Sequence, residues 1–164
     1  MGLCYIMKID DNYNYCILSN NINKTLLDNF TGYPIIEDNI KYEELKNKLE
    51  FYNSKQLVFK ETLYNLRKFE KRSIFELLKK QNIKYINITS DIENAIFCDY
   101  IVVFDNSKIV LKGPRNEVLK EEKTLKRLGY GLPFIVDLST QLNAYSVLNK
   151  EYYDIDSLAG ELWN

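Results

Sequence analysis

The order of the predicted secondary-structure elements indicates an α/β fold that carries a helical C-terminal appendage. Apolar runs typical of buried strands alternate with segments whose apolar residues recur at helical spacing, and from residue 114 onward the patterns are helical only. A chain of 164 residues with 46% hydrophobic and 27% charged residues suits one domain with a substantial core. No Gly/Ser-rich linker and no internal repeat divides it.

The N-terminal third is predicted to begin with two strands. Leu3 to Ile9 and Tyr13 to Leu18 are apolar runs joined by the polar turn 10–12, which is typical of a β-hairpin. A short helix is predicted from Glu43 to Leu49, whereas the segment from Leu57 to Leu66 fits neither period clearly.

The middle of the chain is predicted to continue the α/β alternation. A helix from Ser73 to Asn82 precedes a strand from Ile83 to Thr89. Ser90, followed three residues later by Glu93, fits a capping box and predicts a helix from there to about Cys98. Two apolar runs around a short polar turn, 100–104 and 108–111, then predict a hairpin.

Three helices are predicted at the C-terminus. The first runs from Glu117 to Leu128 and ends at Gly129, which is a typical C-cap residue. Pro133 is expected to begin the second. Asp156 is expected to cap the third.

Composition and charge exclude several classes of function. The net charge is −1, so neither nucleic acid nor an acidic membrane surface is an expected partner. The chain has no histidine and three widely spaced cysteines, which argues against a metal site and favours buried free thiols. No apolar run approaches the roughly 20 residues of a membrane span. We therefore expect a cytoplasmic protein.

The loop after the predicted strand 13–18 could bind phosphate. A strand, a polar loop, Lys24-Thr25 and a helix follow one another in the order of a P-loop, G-x-x-x-x-G-K-[ST]. However, Ser19 stands at the first glycine position, Asn23 precedes the lysine, and the loop is one residue short. The match alone is compatible with an ordinary turn that happens to contain Lys-Thr.

From Ser73 onward the sequence resembles the C-terminal part of the ATPase subunits of energy-coupling-factor transporters, which are cobalt- and vitamin-type importers of the ATP-binding-cassette class. The segment "ELLKKQNIKYINITSDIENAIFCDYIVVFDNSKIVLKGPRNEVL" is similar to their switch strand, the helix after it and a hairpin. The segment "LKRLGYGLPFIVDLSTQL" is similar to their L-G-x-x-x-P-F stretch, although it is one residue shorter between Gly and Pro. The resemblance covers more than half of the chain.

This resemblance implies a truncated P-loop NTPase core of the ATP-binding-cassette type, with N-terminal strands and a helical C-terminal appendage. Residues 1–113 would form a degenerate core that lacks the helical subdomain and the Walker B strand, and residues 114–164 an accessory segment. The remaining sheet is then expected to close over the missing central strand or to show an unusual edge.

The resemblance also favours a decayed phosphate-binding loop over a chance turn. Its candidate nucleotide-binding residues are Asn21, Asn23, Lys24 and Thr25. A P-loop needs glycines where φ is positive, so residues with a Cβ at those positions would be strained. Lys24 could still attract an anion, and Thr25 could still offer a hydroxyl to Mg²⁺.

Other functional positions of the family are lost. The segment "LEFYNSKQLVFKETLYNL" resembles the stretch around the Q-loop, with Tyr52 where its glutamine is expected, and Ser90 matches the switch histidine. The family signature needs Ser-Gly-Gly, but the chain contains no Gly-Gly pair. The nearest candidate for a Walker B end, "IVVFDN", is interpreted as a turn. We therefore assign no catalytic residue and no metal ligand, and expect no cofactor, or ATP–Mg²⁺ bound weakly.

Three readings remain open. The chain is a non-catalytic interaction or regulatory homologue of these ATPase subunits, a nucleotide-binding or ATP-hydrolysing subunit with a rebuilt loop, or a relic module without a transport role. Whether it is an enzyme stays uncertain, with the missing motifs favouring that it is not. The expected partners are a second copy or a related ATPase, bound through residues 116–164, and a transporter membrane subunit that would hold the chain at the inner membrane. Back-packing of that segment onto the core is the alternative to pairing.

Overall fold

The computed structural model describes residues 7–37 and 40–163 of the chain. They contain one mixed sheet of six strands, in the order β2-β3-β4-β1-β5-β6. The strands are β1 (Tyr15–Ser19), β2 (Ile35–Ile36), β3 (Gln56–Lys60), β4 (Lys84–Thr89), β5 (Tyr100–Asp105) and β6 (Lys108–Pro114). The first five run parallel to one another, and only β6 is antiparallel to its neighbour.

Seven α-helices and two short 3₁₀ helices surround the sheet in the described part of the chain. The α-helices are α1 (Lys24–Leu27), α2 (Tyr42–Glu50), α3 (Lys68–Lys80), α4 (Arg115–Val118), α5 (Glu122–Arg127), α6 (Phe134–Ala144) and α7 (Ile155–Leu162). The 3₁₀ helices are Asp28–Phe30 and Ile92–Phe97. This confirms the predicted α/β fold with a helical C-terminus.

The strand β1 lies at the centre of the sheet, and all five of its residues are buried. Its register pairs Tyr15 with Ile86 of β4 on one side and with Tyr100 of β5 on the other. Both faces of a central parallel strand are covered, which explains why β1 is apolar without alternation. The sheet passes from β3 through β4 and β1 to β5 without a gap.

The predicted N-terminal hairpin is wrong. β1 already pairs with β4 and β5, so no edge of β1 is left for an antiparallel partner. Residues 7–9 are not in a strand, and residues 3–6 lie outside the described residues. The prediction failed because a polar turn between apolar runs indicates a local hairpin, whereas the long-range parallel pairing was not visible in the sequence.

The C-terminal segment packs back onto the sheet. Ile135, Val136, Leu148, Tyr152 and Leu158 are buried in the same apolar cluster as residues of β1, β3 and β5. This cluster covers the sheet face that also carries α2 and α3, and a second cluster under α1 and Phe30 covers the other face. Large exposed apolar side chains nevertheless remain on this segment, including Tyr145 and Trp163, which are 81% and 83% exposed.

Two predicted helix starts need correction. Asp91, not Ser90, caps the helix after β4, because its Oδ1 accepts the Glu93 N–H at 3.0 Å; that helix is 3₁₀ rather than α. Asp154, not Asp156, caps α7, because its Oδ1 accepts the Ser157 N–H at 2.8 Å. In each stretch, two nearby side chains carry an oxygen that could cap the helix, and the sequence pattern does not distinguish between them.

The predicted hairpin and the helix end at Gly129 are confirmed. β5 and β6 are joined by Asn106 and Ser107, which both have positive φ, as in a type I′ turn. At the end of α5, Gly129 has φ of +86° and donates its N–H to the Lys126 carbonyl, while Tyr130 donates to the Leu125 carbonyl. These two hydrogen bonds form a Schellman motif.

Candidate functional site

The candidate site lies where the parallel strands end. Because β1, β3, β4 and β5 are parallel, the segments that follow them meet at one edge of the sheet, which we call the carboxyl edge. The loop 20–23 follows β1, Glu61 follows β3, Ser90 follows β4, and Asp105 ends β5. This is the edge at which open α/β sheets bind their ligands.

Two backbone N–H groups at the loop 20–23 and the start of α1 are bonded to side chains of the same segment. Ser19 Oγ accepts the Asn21 N–H at 3.2 Å and donates to the Asn21 carbonyl at 3.0 Å. Asn23 Oδ1 caps α1 by accepting the Leu26 N–H at 3.0 Å. Two of the backbone N–H groups that a phosphate cradle would turn toward its ligand are therefore already bonded to side chains of the loop itself.

The loop also avoids the strain that we expected. Every described residue with positive φ lies outside the stretch 19–24, the nearest along the chain being Glu61. Asn23 itself has an extended backbone, with φ of −103° and ψ of 173°. Residues with a Cβ are thus accommodated because the loop follows a different path from a glycine-rich cradle, which needs positive φ.

Lys24 and Thr25 are the first two residues of α1, and both are exposed. The Thr25 carbonyl accepts a hydrogen bond from Asn29 Nδ2 at 3.1 Å. α1 is only four residues long before it tightens into the 3₁₀ turn, so its dipole offers little attraction for an anion. The four candidate residues lie together on the loop 20–23 and in the first turn of α1: Asn21, Asn23, Lys24 and Thr25.

Tyr52 lies at the opposite edge of the sheet. Its hydroxyl donates to the carbonyl of Gln56, the first residue of β3, at 3.4 Å. Partial burial of the ring raises the pKa of the Tyr52 hydroxyl. The structure does not bring Tyr52 near the loop 20–23, because the two lie at opposite ends of parallel strands.

Ser90 does lie at the carboxyl edge, where it contacts a residue that the sequence analysis missed. Glu61 accepts the Ser90 N–H at 2.5 Å through Oε1 and the Ser90 hydroxyl at 3.3 Å through Oε2. Glu61 has φ of 51° and donates its own N–H to the Ile88 carbonyl at 2.9 Å. The signal for it was an apolar run followed by Lys60-Glu61, which was hidden in a segment without a clear period.

An ion pair between Lys71 and Asp91 lies beside the same edge of the sheet. Lys71 Nζ lies 2.7 Å from Asp91 Oδ2, and the two side chains are 9% and 23% exposed. The pair joins α3 to the cap of the 3₁₀ helix that follows Ser90. A charge-assisted bond between two shielded groups fixes the position of both elements.

Tyr130 brings the C-terminal segment to this edge. Its side chain is buried, and its hydroxyl has no hydrogen-bond partner among the described residues. Burial raises the pKa of Tyr130 to about 12, with smaller contributions that include the carboxylates of Glu61 and Asp105. Glu61 follows β3 and Asp105 ends β5, so Tyr130 lies on the side of the carboxyl edge.

Two further contacts hold the loop 20–23 in place. Asn20 Nδ2 donates to the Leu128 carbonyl at 3.0 Å, next to Gly129 in the Schellman motif. Asn23 Nδ2 lies 3.4 Å from Ser107 Oγ in the β5–β6 turn. The loop is therefore tied to the C-terminal segment on one side and to the hairpin on the other.

Within residues 7–37 and 40–163, no three cysteine or carboxylate side chains lie close enough together to hold a metal ion. Cys16 and Cys98 are buried free thiols, as predicted, whereas Cys4 lies outside the described residues. In the same part of the chain, no helix has the length and apolar character that crossing a membrane requires.

Partial matches connect the chain to known proteins. It is similar to the energy-coupling factor transporter ATP-binding protein EcfA1 of Caldanaerobacter subterraneus, with 36% identity over 85 residues, which is 52% of this chain and 28% of the relative. The corresponding protein of Clostridioides difficile is 32% identical over 97 residues, covering 58% of this chain and 35% of the relative. That of Geobacillus kaustophilus is 27% identical over 92 residues, covering 56% and 33%.

The matched stretch thus spans about a third or less of the length of these curated relatives. No protein-family model matches the chain. The fold is shared with the structure of CbiO1 from Clostridium perfringens, described as part of the ABC transporter complex CbiONQ, with a TM-score of 0.50 at 14% identity over 74% of this chain and 85% of that one. The chain is therefore similar over part of its length to energy-coupling factor transporter ATP-binding proteins, and it shares the fold of the ABC-transporter protein CbiO1.

Proposed function

We propose that this chain is a non-catalytic homologue of the ATP-binding subunits of energy-coupling-factor transporters and acts through interaction or regulation. The observation that carries the proposal is that two backbone N–H groups at the loop after β1 are already bonded to side chains of the same segment. Asn21 and Leu26 donate their N–H groups to the side chains of Ser19 and Asn23, so neither is free for a phosphate oxygen. Phosphoryl transfer depends on such positioned donors together with a metal ion.

The end of β3 supports the proposal. Leu57-Val58-Phe59 is a fully buried apolar run that ends in Lys60-Glu61 at the carboxyl edge, one strand away from β1 across β4. We infer that β3 corresponds to the Walker B strand, which the sequence analysis expected to be absent. Lys60 then stands where an aspartate would hold Mg²⁺, and its ammonium group pairs with Glu37 at 3.6 Å. A positive side chain at this position repels a divalent cation.

The hydrogen bonds between Glu61 and Ser90 also support the proposal. In the resemblance, Ser90 stands at the switch histidine, whose ring would reach the phosphate. Here the Ser90 hydroxyl points to Glu61 and holds its carboxylate together with the Ser90 N–H. A carboxylate that is bonded in this way is less able to orient an attacking water. The Glu61–Ser90 pair connects the ends of β3 and β4.

Partners are inferred from the relatives. The similar CbiO1 protein is described as part of an ABC transporter complex. By analogy, we propose that this chain binds a related ATPase subunit or a transporter membrane subunit, which would hold a cytoplasmic protein at the inner membrane. Residues 114–164 would act as the accessory segment beside a core of residues 1–113, and the exposed rings of Tyr145 and Trp163 are its available anchors.

The catalytic part of the proposal is tested by steady-state phosphate release from ATP–Mg²⁺. We expect the full chain and its Lys24→Ala and Glu61→Gln variants to release phosphate at the same background rate. A rate above background that both substitutions abolish would overturn the proposal, because it would show a working site that depends on these residues.

The interaction part is tested by light scattering, with the chain alone and mixed with an ATPase subunit from a neighbouring gene. We expect a complex that the Tyr145→Ser/Trp163→Ser variant fails to form, and that the matched control Phe51→Ser retains. Phe51 is also 83% exposed but lies after α2 rather than in the accessory segment. A strictly monomeric chain with every such subunit would contradict pairing.

The alternative is weak nucleotide binding through a rebuilt loop. Lys24 and Thr25 are exposed and free to approach a ligand, which is the observation that favours it. ATP–Mg²⁺ would then bind mainly through the lysine charge and not through backbone donors. This alternative predicts that Lys24→Ala removes whatever binding exists.

A further inference from the structure

A cavity of about 770 Å³ extends along α3, and the loop 20–23 is not part of its lining. α3 contributes residues from Lys68 to Lys79, so the cavity follows most of this helix. Another part of the wall is formed by Asp154, Ile155 and Asp156 at the start of α7. The volume lies within the range of cavities that hold small organic ligands, which is roughly 300–1,000 Å³.

Little apolar surface holds α7 in place. Leu158 is the one buried residue of this helix, and it joins the apolar cluster on the sheet face that carries α3. Ile155, Leu162 and Trp163 are all exposed. By contrast, the neighbouring α6 buries three of its eleven residues, between Ile135 and Ser139. Burial of one leucine offsets little of the conformational entropy that is lost when the eight residues of α7 become ordered.

The helix α7 also has a low intrinsic stability. It has eight residues, and isolated helices of this length do not persist in water. Gly160 lies inside it, where glycine is less favourable than alanine because its backbone loses more conformational freedom. A methyl group added at Gly160 would meet no atom outside its own helix within 4 Å, so close packing does not require the glycine. α7 is therefore helical because it is docked.

An exposed ion pair links α7 to α3. The guanidinium group of Arg72 pairs with Asp156 of α7 and, at 2.9 Å, with Glu76 of its own helix. All three side chains are exposed, and solvent and salt screen such pairs. The ion pair therefore directs α7 to its place on α3 without fixing it there.

We propose that α7 is a movable wall of this cavity, which detaches from α3 and docks again as a unit while the rest of the fold stays intact. The single buried leucine, the internal glycine and the exposed ion pair all lower the free energy of this local opening. Detachment removes residues 154–156 from the lining, so the docking of α7 controls the size of the cavity. The device operates in the free chain and depends neither on a nucleotide nor on a partner.

The test is native-state hydrogen–deuterium exchange of the full chain, followed residue by residue by NMR. We expect the amides of residues 158–162 to share one degree of protection and to exchange at least about tenfold faster than those of α6. Gly160→Ala should slow the exchange of α7 about threefold to fivefold, because alanine stabilises the helix. Asp156→Asn and Arg72→Gln should each speed it about twofold to fivefold. Exchange in β1 and β4 should not change.

Glu76→Gln is the matched control for Asp156→Asn. Both substitutions remove one carboxylate partner of Arg72 and change the net charge equally, but Glu76 lies on α3 itself. Glu76→Gln should therefore leave the exchange of α7 unchanged. Raising the salt concentration from about 0.05 M to about 0.5 M should speed the exchange of α7 in the unchanged chain, and Arg72→Gln should remove this salt effect.

The proposal is overturned by any of three results. One is that α7 exchanges as slowly as α6, which would show that it does not open on its own. Another is a protection that falls steadily from Leu158 towards Trp163, which would indicate fraying of the chain end instead of detachment as a unit. The third is an equal effect of Glu76→Gln and Asp156→Asn, which would indicate a general charge effect. None of these results depends on phosphate release or complex formation, so this proposal and the proposed function fail separately.

Discussion

Glu61 and Ser90 are joined by two hydrogen bonds that fasten the end of β3 to the end of β4. The Ser90 N–H and hydroxyl both point to the Glu61 carboxylate, at 2.5 and 3.3 Å. The Lys71–Asp91 pair then joins the next residue of the same loop to α3. At an edge where related folds bind ligands, this chain uses its charged and polar groups to hold its own elements together.

The Lys71–Asp91 pair is expected to be important for stability. Asp91→Asn keeps an oxygen to cap the 3₁₀ helix but removes the charge, which leaves the Lys71 ammonium buried without a counter-ion. We expect a loss of about 3 kcal/mol in the free energy of unfolding, measured by urea denaturation. The exposed pair Glu122–Lys126 is the control, and Lys126→Met should have little effect on stability because solvent screens that pair. Equal losses in the two variants would contradict this role.

The Schellman motif at Gly129 gives a second prediction. Gly129→Ala forces a side chain into the left-handed region at φ of +86°, so we expect it to destabilise the chain by about 1 kcal/mol. Gly131→Ala is the matched control two residues away, where no atom lies within 4 Å of the added methyl group and φ is not positive. Thermal unfolding should separate the two variants clearly. An unchanged melting temperature for Gly129→Ala would show that α5 does not need this C-cap.

The cap of α7 predicts a dependence of stability on pH. The backbone hydrogen bond from Ser157 is the main cause that lowers the pKa of Asp154 in the folded chain. A lowered folded pKa means that the ionised carboxylate stabilises the fold at neutral pH, and that this contribution is lost as the pH falls below the ordinary value for aspartate and through the folded value.

Denaturation between pH 6 and about pH 2.5 checks this sign. Asp154→Ala should cost about 1 kcal/mol at neutral pH and lose less stability on acidification than the unchanged chain. Asp156→Ala removes the carboxylate that the sequence favoured as the cap. Among the described residues that carboxylate pairs with the exposed Arg72, so its loss should cost much less. If Asp156→Ala cost more stability than Asp154→Ala, Asp156 would be the cap of α7.

Tyr130 gives a prediction about the packing of the C-terminal segment. Its ring is buried among apolar groups at the carboxyl edge, whereas its hydroxyl has no partner among the described residues. Tyr130→Ala should therefore destabilise the chain by about 3–5 kcal/mol through the cavity that it leaves. Tyr130→Phe should be neutral or stabilising, because it removes an unsatisfied buried hydroxyl. If chemical denaturation shows that Tyr130→Phe costs as much as Tyr130→Ala, the hydroxyl has an essential bond.

The sequence predicted most of the elements and some of the site. Helices such as α2, α3 and α6 and the β5–β6 hairpin were predicted because their periods and turns are local signals. α3 begins five residues before the predicted start at Ser73, because the Glu70 carboxylate accepts the Arg67 N–H at 2.8 Å and extends the helix backwards. β3 and the pairing of β1 were missed because a short strand that pairs in parallel has no local turn to mark it.

The candidate site was only partly predictable for the same reason. Lys24, Thr25, Asn21 and Asn23 are neighbours in sequence, so their proximity was expected. The contact of Glu61 with Ser90 joins residues 29 positions apart through adjacent strands, which no local pattern reveals. Tyr52 was placed by resemblance alone, and the topology puts it at the opposite edge.

The most direct measurement is a calorimetric titration of the full chain with ATP–Mg²⁺. Two backbone N–H groups at the loop after β1 are already bonded to side chains of the same segment, and each missing charge-assisted bond to phosphate forfeits about 1.5–3 kcal/mol. Two or three such losses would move a micromolar dissociation constant to the millimolar range or beyond. We therefore predict no measurable heat at micromolar concentrations, and no difference between the unchanged chain and Lys24→Ala. A micromolar dissociation constant that Lys24→Ala abolishes would contradict a non-catalytic loop that is closed on itself.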